Sequence, residues 1–210
     1  MGVYDSKAQL NTEPNNLYPT ILYKVQRMKI HEDYNGKLKY QDLEHDVALL
    51  KLDRPVTFAP NIIPICIPEQ DQDFGGESAW ATGWGSTIAY DSRENYQLFN
   101  YPDILREVNI KLKTTETCME DIQKEPYISY KERNGTAAPW RIKELFLCAE
   151  MLDERDTCRG DSGGPLVVQR EDGRFVLAGV VSWGHGCGII GGFYTKVSNI
   201  VDWLKFEMSY

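Results

Sequence analysis

The segment Gly160-Asp161-Ser162-Gly163-Gly164-Pro165-Leu166 holds the residues of this sequence best suited to covalent chemistry. A serine flanked by glycines sits in a tight backbone turn with little side-chain cover. Its hydroxyl is exposed, and neighbouring N–H groups can converge on a developing oxyanion. A serine hydroxyl is a weak nucleophile until a general base takes its proton, and that base must itself be oriented by a third group. The histidines are His31, His45 and His185; only His185 follows the serine, with Asp172 and Asp202 as the acids available after Ser162. Taken alone, the glycine–serine pattern also fits an idle surface turn.

The elements around this segment narrow the choice. Gly160-Asp161-Ser162-Gly163-Gly164 matches G-x-S-x-G, the nucleophile elbow of α/β-hydrolases, in which the acid and then the histidine follow the serine. Only His185 follows Ser162, and such a fold needs several strands each followed by a helix. The chain shows short strand-like runs instead: Tyr23 to Ile30, Val47 to Leu52, Leu166 to Val168, Phe175 to Trp183 and Gly192 to Val197. Gly, Pro, Asn and Asp clusters separate them, which predicts an all-β fold, an antiparallel barrel or sandwich. Ser198 to Phe206 spaces Val201, Trp203 and Leu204 for one short helix docked on the sheet, with Ser198 as its N-cap. Two polar stretches, about Ser86 to Tyr101 and Lys124 to Trp140, read as surface loops. The second carries Asn134-Gly135-Thr136, a glycosylation acceptor if the protein is secreted and otherwise an unmodified loop.

Composition bounds the partners. The chain has 210 residues, 42% apolar and 26% charged, suited to one large all-β domain or two small lobes. A net charge of −8 argues against a nucleic-acid or anionic-membrane surface and mildly favours basic substrates. No apolar run approaches membrane-spanning length, and the opening Met1 to Lys7 lacks the basic and apolar regions of a signal peptide. The five cysteines are Cys66, Cys118, Cys148, Cys158 and Cys187; none forms a C-x-x-C pair, so a structural zinc site is not expected, and the sequence assigns no metal ligands and no cofactor.

The longer stretch Asp156-Thr157-Cys158-Arg159-Gly160-Asp161-Ser162-Gly163-Gly164-Pro165-Leu166 resembles the trypsin/chymotrypsin family of serine proteases. So do Asp46-Val47-Ala48-Leu49-Leu50-Lys51-Leu52, Thr82-Gly83-Trp84-Gly85, Ser182-Trp183-Gly184 and, after Cys187, Gly192-Phe193-Tyr194-Thr195. The matches come in family order along nearly the whole chain. The resemblance implies two six-stranded antiparallel barrels, the first incomplete at about residues 1–70, the second at about 78–197, with the C-terminal helix at 198–207. It makes Ser162 the nucleophile, Asp46 the acid that orients a histidine, and the N–H groups of Gly160 and Ser162 the oxyanion hole. Asp156 becomes the base of a specificity pocket walled by Gly184 and Gly192, so cleavage after Arg or Lys is implied. Ser182, Trp183 and Gly184 would pair with substrate backbone as an added strand, and Asp161 would receive the ammonium of an activated N-terminus.

The same resemblance implies disulfides Cys158–Cys187 and Cys118–Cys148, and an apolar replacement of a further bridge at about Ala79 and Val168. Cys66 matches the cysteine that ties such a domain to an upstream segment. An extracellular, secreted location and protein or peptide substrates are implied as well, with no nucleic acid or membrane partner. The family's histidine, in an Ala-Ala-His-Cys segment well before the aspartate, has no match. His31 fits a surface loop, His45 adjoins Asp46 and should point away, and His185 falls near the pocket entrance. The expectation is therefore a protease domain that is inactive as this chain, read either as a truncated form of an active enzyme or as a non-catalytic homologue serving as a binding or regulatory module.

Overall fold

A computed structural model describes residues 1–7, 18–34, 45–88, 99–124, 145–150, 153, 155–184, 186–188 and 191–209. The polypeptide alternates short strands with turns, as its clusters of turn-forming residues dictate. Strands β1 (Val25–Ile30) and β2 (Ala48–Leu52) pair antiparallel in a two-stranded ribbon. The other six form one sheet: β3 (Ser78–Gly83), β4 (Arg106–Lys111), β5 (Phe146–Cys148), β6 (Pro165–Gln169), β7 (Phe175–Trp183) and β8 (Phe193–Lys196), in the order β4-β3-β6-β7-β8-β5. Its two edges meet. An antiparallel bridge joins Leu112 to Ala149, with Lys113 N–H donating to the Cys148 carbonyl at 2.9 Å and Glu150 N–H to the Lys111 carbonyl at 2.7 Å. The sheet thus curls onto itself, which removes edges that would otherwise offer unpaired backbone groups.

Alternation along the strands decides what the curled sheet encloses. Ala79 and Ala81 of β3, Leu166 and Val168 of β6, and Val176 and Ala178 of β7 turn inward and are buried. Ala79 and Val168 are direct partners across β3 and β6, at 0% and 6% exposure, so ordinary apolar packing occupies the place expected of a missing bridge. A second cluster binds the two sheets: Val47 and Leu49 pack with Leu177 and Val180 of β7 and with Val197, Ile200 and Leu204 of the C-terminal segment. The ribbon's remaining apolar side chains are not covered by the described residues; Val25, Met28, Ile30 and Leu50 are each about half exposed.

All five strands read from the sequence are present, with ends within two residues. Three further strands and a helix were not anticipated. β3 is built largely of small residues with weak strand preference, β4 hides its inward Val108 and Ile110 between charged and polar neighbours, and β5 is only three residues long. Helix α1 (Thr115–Lys124) begins at Thr114, whose hydroxyl accepts from the Thr117 N–H at 3.4 Å. The C-terminal helix needs a correction. Val197–Ile200 is a 3-10 turn, and α2 runs Val201–Met208. Ser198 does not cap it: its hydroxyl is fully buried and makes no hydrogen bond, because packing of the 3-10 turn carries it into the core.

Candidate active site

Asp46 sits just ahead of β2, after His45, which adopts a left-handed φ of 54°. Val47 and Leu49 pack against Val197, Ile200 and Leu204, the cluster that Leu177 and Val180 of β7 also join. The β7–β8 register shifts between Val181 and Trp183, leaving Ser182 as the extra residue of a bulge. A bulge re-aims its side chain. Here the Ser182 hydroxyl donates to Asp46 Oδ2 at 2.7 Å, and Thr195 Oγ1 donates to the Asp46 carbonyl at 3.0 Å. Neither partner was anticipated for Asp46; the bulge that supplies the first depends on strand register, which local sequence does not display.

Ser162 lies exposed on the turn that enters β6. Gly160 and Gly163 take φ values of 100° and 78°, where a side chain would strain the backbone. Gly163 N–H donates to the Val181 carbonyl at 2.9 Å, and Val181 N–H donates to the Gly164 carbonyl at 2.9 Å. Val181 precedes Ser182, so the strand end that holds Asp46 also holds the turn bearing Ser162. Asp161 anchors the turn from the other side. Its carboxylate accepts from the N–H of Gly85 at 2.8 Å and of Cys158 at 2.9 Å. A Cβ on Gly83 or Gly85 would fall inside that carboxylate, which explains two glycines of Thr82-Gly83-Trp84-Gly85 by close approach.

Asp156 is half-buried between two segments joined by the Cys158–Cys187 disulfide, Cα–Cα 5.2 Å. Its oxygens accept from Thr157 N–H at 2.8 Å and Gly188 N–H at 3.2 Å. Burial pushes its carboxyl up to about 6, against the opposing pull of the backbone N–H groups. A Cβ on Gly192 would stand 3.2 Å from Asp156 Oδ1, and one on Gly184 would stand 3.7 Å from Gly192 Cα, so Gly192 lies against the carboxylate and Gly184 lies against Gly192. Tyr194 is fully buried, with its phenol pushed up by burial and shared with Thr157 Oγ1 at 3.1 Å. Trp183 stacks on Phe193 with ring centroids 4.1 Å apart.

Both expected disulfides are formed, Cys118–Cys148 with Cα–Cα 5.5 Å, and Cys66 is a free thiol. Asn134 and His185 lie outside the described residues. His31 is not on a solvated loop: it is 9% exposed, because its ring stacks on His45 with centroids 4.3 Å apart and meets Trp203 at 4.7 Å. Burial, and then the His45 ring, hold its imidazole below the ordinary range. His45 faces His31, away from the Asp46 carboxylate as adjacency implied. Asp33 joins these two rings in a group whose ligand-type atoms lie within 4.8 Å of one another. No helix among the described residues is long and apolar enough to cross a membrane.

The family model described as trypsin matches residues 9–204. Serine proteinase stubble of Drosophila melanogaster is 34% identical over 89% of this chain and 21% of its own length. Phenoloxidase-activating factor 2 of Galleria mellonella is 34% identical over 92% of the chain and 59% of its own. The solved structure of neuropsin, a serine protease expressed in the limbic system of mouse brain, superposes with a TM-score of 0.68 at 26% identity, over 89% of this chain and 71% of that one. The chain spans between 11% and 59% of the length of these curated relatives and those like them.

Proposed function

This chain belongs to the trypsin family of serine proteases, and on that premise we propose that it is the greater part of a secreted endopeptidase domain cleaving peptide bonds after Arg or Lys. The observation that carries the specificity is the half-buried Asp156 carboxylate, with Gly192 against it and Gly184 beside Gly192. A substrate guanidinium or ammonium reaching Asp156 supplies a counter-charge, and leaving either charge buried alone costs several kcal/mol.

Ser162 is the nucleophile. Its exposed turn, tied to Val181 and anchored through Asp161, presents the N–H groups of Gly160 and Ser162 to the oxyanion of an acyl-transfer intermediate. Asp46, oriented by the Ser182 hydroxyl, is the acid that would align a histidine and stabilise its imidazolium. Ser182, Trp183 and Gly184 offer the β7 end to substrate backbone.

The 210 residues alone do not perform this reaction. Among the described residues no histidine is hydrogen-bonded to Asp46, and His31 and His45 stack on each other. Removing the base from a serine protease lowers turnover on the order of 10⁶-fold. The same observation supports a second reading, a non-catalytic homologue that binds a partner through this surface. The exposed apolar side chains of the ribbon favour the first, because they form a face of the kind further strands cover. Cys66 is suited to a disulfide with another segment.

The test uses arginyl, lysyl and phenylalanyl amide substrates. The 210-residue chain is expected to give no hydrolysis; turnover abolished by Ser162→Ala would refute the argument about the base. The natural polypeptide that carries these residues is expected to prefer the basic substrates and to lose that preference on Asp156→Ser. A preference for phenylalanine would overturn the pocket assignment, and inactivity of that natural polypeptide would favour the binding module.

A further inference from the structure

We propose that His31, His45 and Asp33 form a binding site for a divalent cation of the zinc class, on the turn that leads into Asp46. The ribbon assembles the site. β1 ends at Ile30 and β2 begins at Ala48, and these two residues are partners in register. His31 N–H donates to the Val47 carbonyl at 3.2 Å, closing the ribbon end. That closure brings two imidazoles distant in sequence side by side, 4.3 Å apart and within 17° of parallel.

Two features distinguish this cluster from a chance meeting of side chains. The first is an unmet polar atom: His45 Nδ1 is buried and makes no hydrogen bond. A buried group left this way costs about 1–3 kcal/mol, and native structures meet it with a partner, a water or an ion. The second is the support around His31. The ring is 9% exposed and packed on Trp203, whose indole N–H donates to Glu32 at 2.8 Å, while Lys29 bridges Glu32 and Glu207. Held ligand rings with a fixed outer layer are what metal sites require.

The donor set selects the ion. Two imidazole nitrogens and one carboxylate oxygen suit zinc, whereas calcium and magnesium take oxygen ligands. Asp33 N–H donates to His31 Nδ1 at 3.2 Å, so the neutral ring carries its proton on Nε2. His31 therefore ligates through Nδ1, and the cation takes the place of that long hydrogen bond. Tetrahedral zinc sets its donors about 3.4 Å apart. The present atoms lie within 4.8 Å of one another; binding requires the exposed Asp33 side chain to rotate and the two rings to turn out of their stack so that both lone pairs point at one ion. Water completes the fourth position. Occupancy ties down the residue next to Asp46, so the cation restrains the segment that presents that carboxylate. The cation site does not depend on the catalytic reading of Ser162.

The experiment titrates Zn²⁺ into the chain carrying Cys66→Ser, which removes the free thiol as a competing ligand. Binding is followed by Trp203 fluorescence and by competition with a chromophoric chelator. Saturation at one equivalent is expected, with no response to Ca²⁺. Asp33→Asn and His45→Asn, the latter chosen because asparagine tolerates a φ of 54°, should each weaken Zn²⁺ binding. The expected loss is at least about 10-fold, the size that even an outer-layer change produces. Zn²⁺ that fails to bind below about 1 mM, or that binds both variants as tightly as the parent, overturns the proposal.

Discussion

Asp156 makes a quantitative prediction about stability and pH. Its carboxyl is raised from 3.8 to about 6, chiefly because folding withdraws it from water. The folded chain therefore holds this proton over a range where the unfolded chain has released it, and stability falls as pH rises from about 4 to about 6. At about 1.4 kcal/mol for each tenfold change in proton affinity, the loss is about 3 kcal/mol. The perturbation is Asp156→Asn, which cannot ionise. The amide offers one acceptor oxygen where the carboxylate accepts from both Thr157 and Gly188, so the variant carries a constant penalty of about 1–3 kcal/mol. That penalty is independent of pH and cancels when the difference between variant and parent is compared across pH. Urea unfolding at intervals from pH 4 to pH 7.5 should show the variant gaining on the parent by about 3 kcal/mol across the window. A difference that stays flat, or one in which the variant loses ground as pH rises, refutes the claim that burial governs this carboxyl. The same ionisation governs ligand uptake under the proposed pocket role: affinity for benzamidinium, an arginine-like cation, should rise about tenfold per pH unit and level off near pH 6.

Two substitutions probe the framework around the candidate nucleophile. Ser182→Ala removes the donor to Asp46 at 2.7 Å and should lower stability by about 1–3 kcal/mol, read from urea unfolding, while Ser182→Thr, which keeps the hydroxyl, should recover part of it. Gly83→Ala drives a methyl group into the Asp161 carboxylate and should release its bonds to Gly85 and Cys158, so hydrogen exchange should accelerate at Cys158 to Gly164 and remain unchanged in the β1–β2 ribbon.

The local features of this protein were legible in its sequence because they depend on near neighbours. Glycines around Ser162 announce a tight turn whatever surrounds it, and short apolar runs bounded by turn residues, such as Phe175 to Trp183, announce strands. The disulfides, by contrast, came from family resemblance, since five cysteines do not dictate their own pairing. Strands of small or charged residues, such as Ser78–Gly83 and Arg106–Lys111, became strands because partners on both or one side supply hydrogen bonds and packing that their own composition does not demand.

What the sequence determined by itself is the chemistry on offer: an exposed serine on a glycine turn, carboxylates at Asp46, Asp156 and Asp161, and three histidines. Tertiary structure alone decided how those groups are conditioned. A one-residue bulge in β7 aims Ser182 at Asp46, a glycine-lined cradle seats Asp161, and burial raises Asp156. The ribbon end turned two histidines read as unremarkable into a stacked pair with an unmet nitrogen. The physical reason is common to all four. Hydrogen-bond partners and desolvation are set by residues far away along the chain, and only the folded register brings them within a few ångströms.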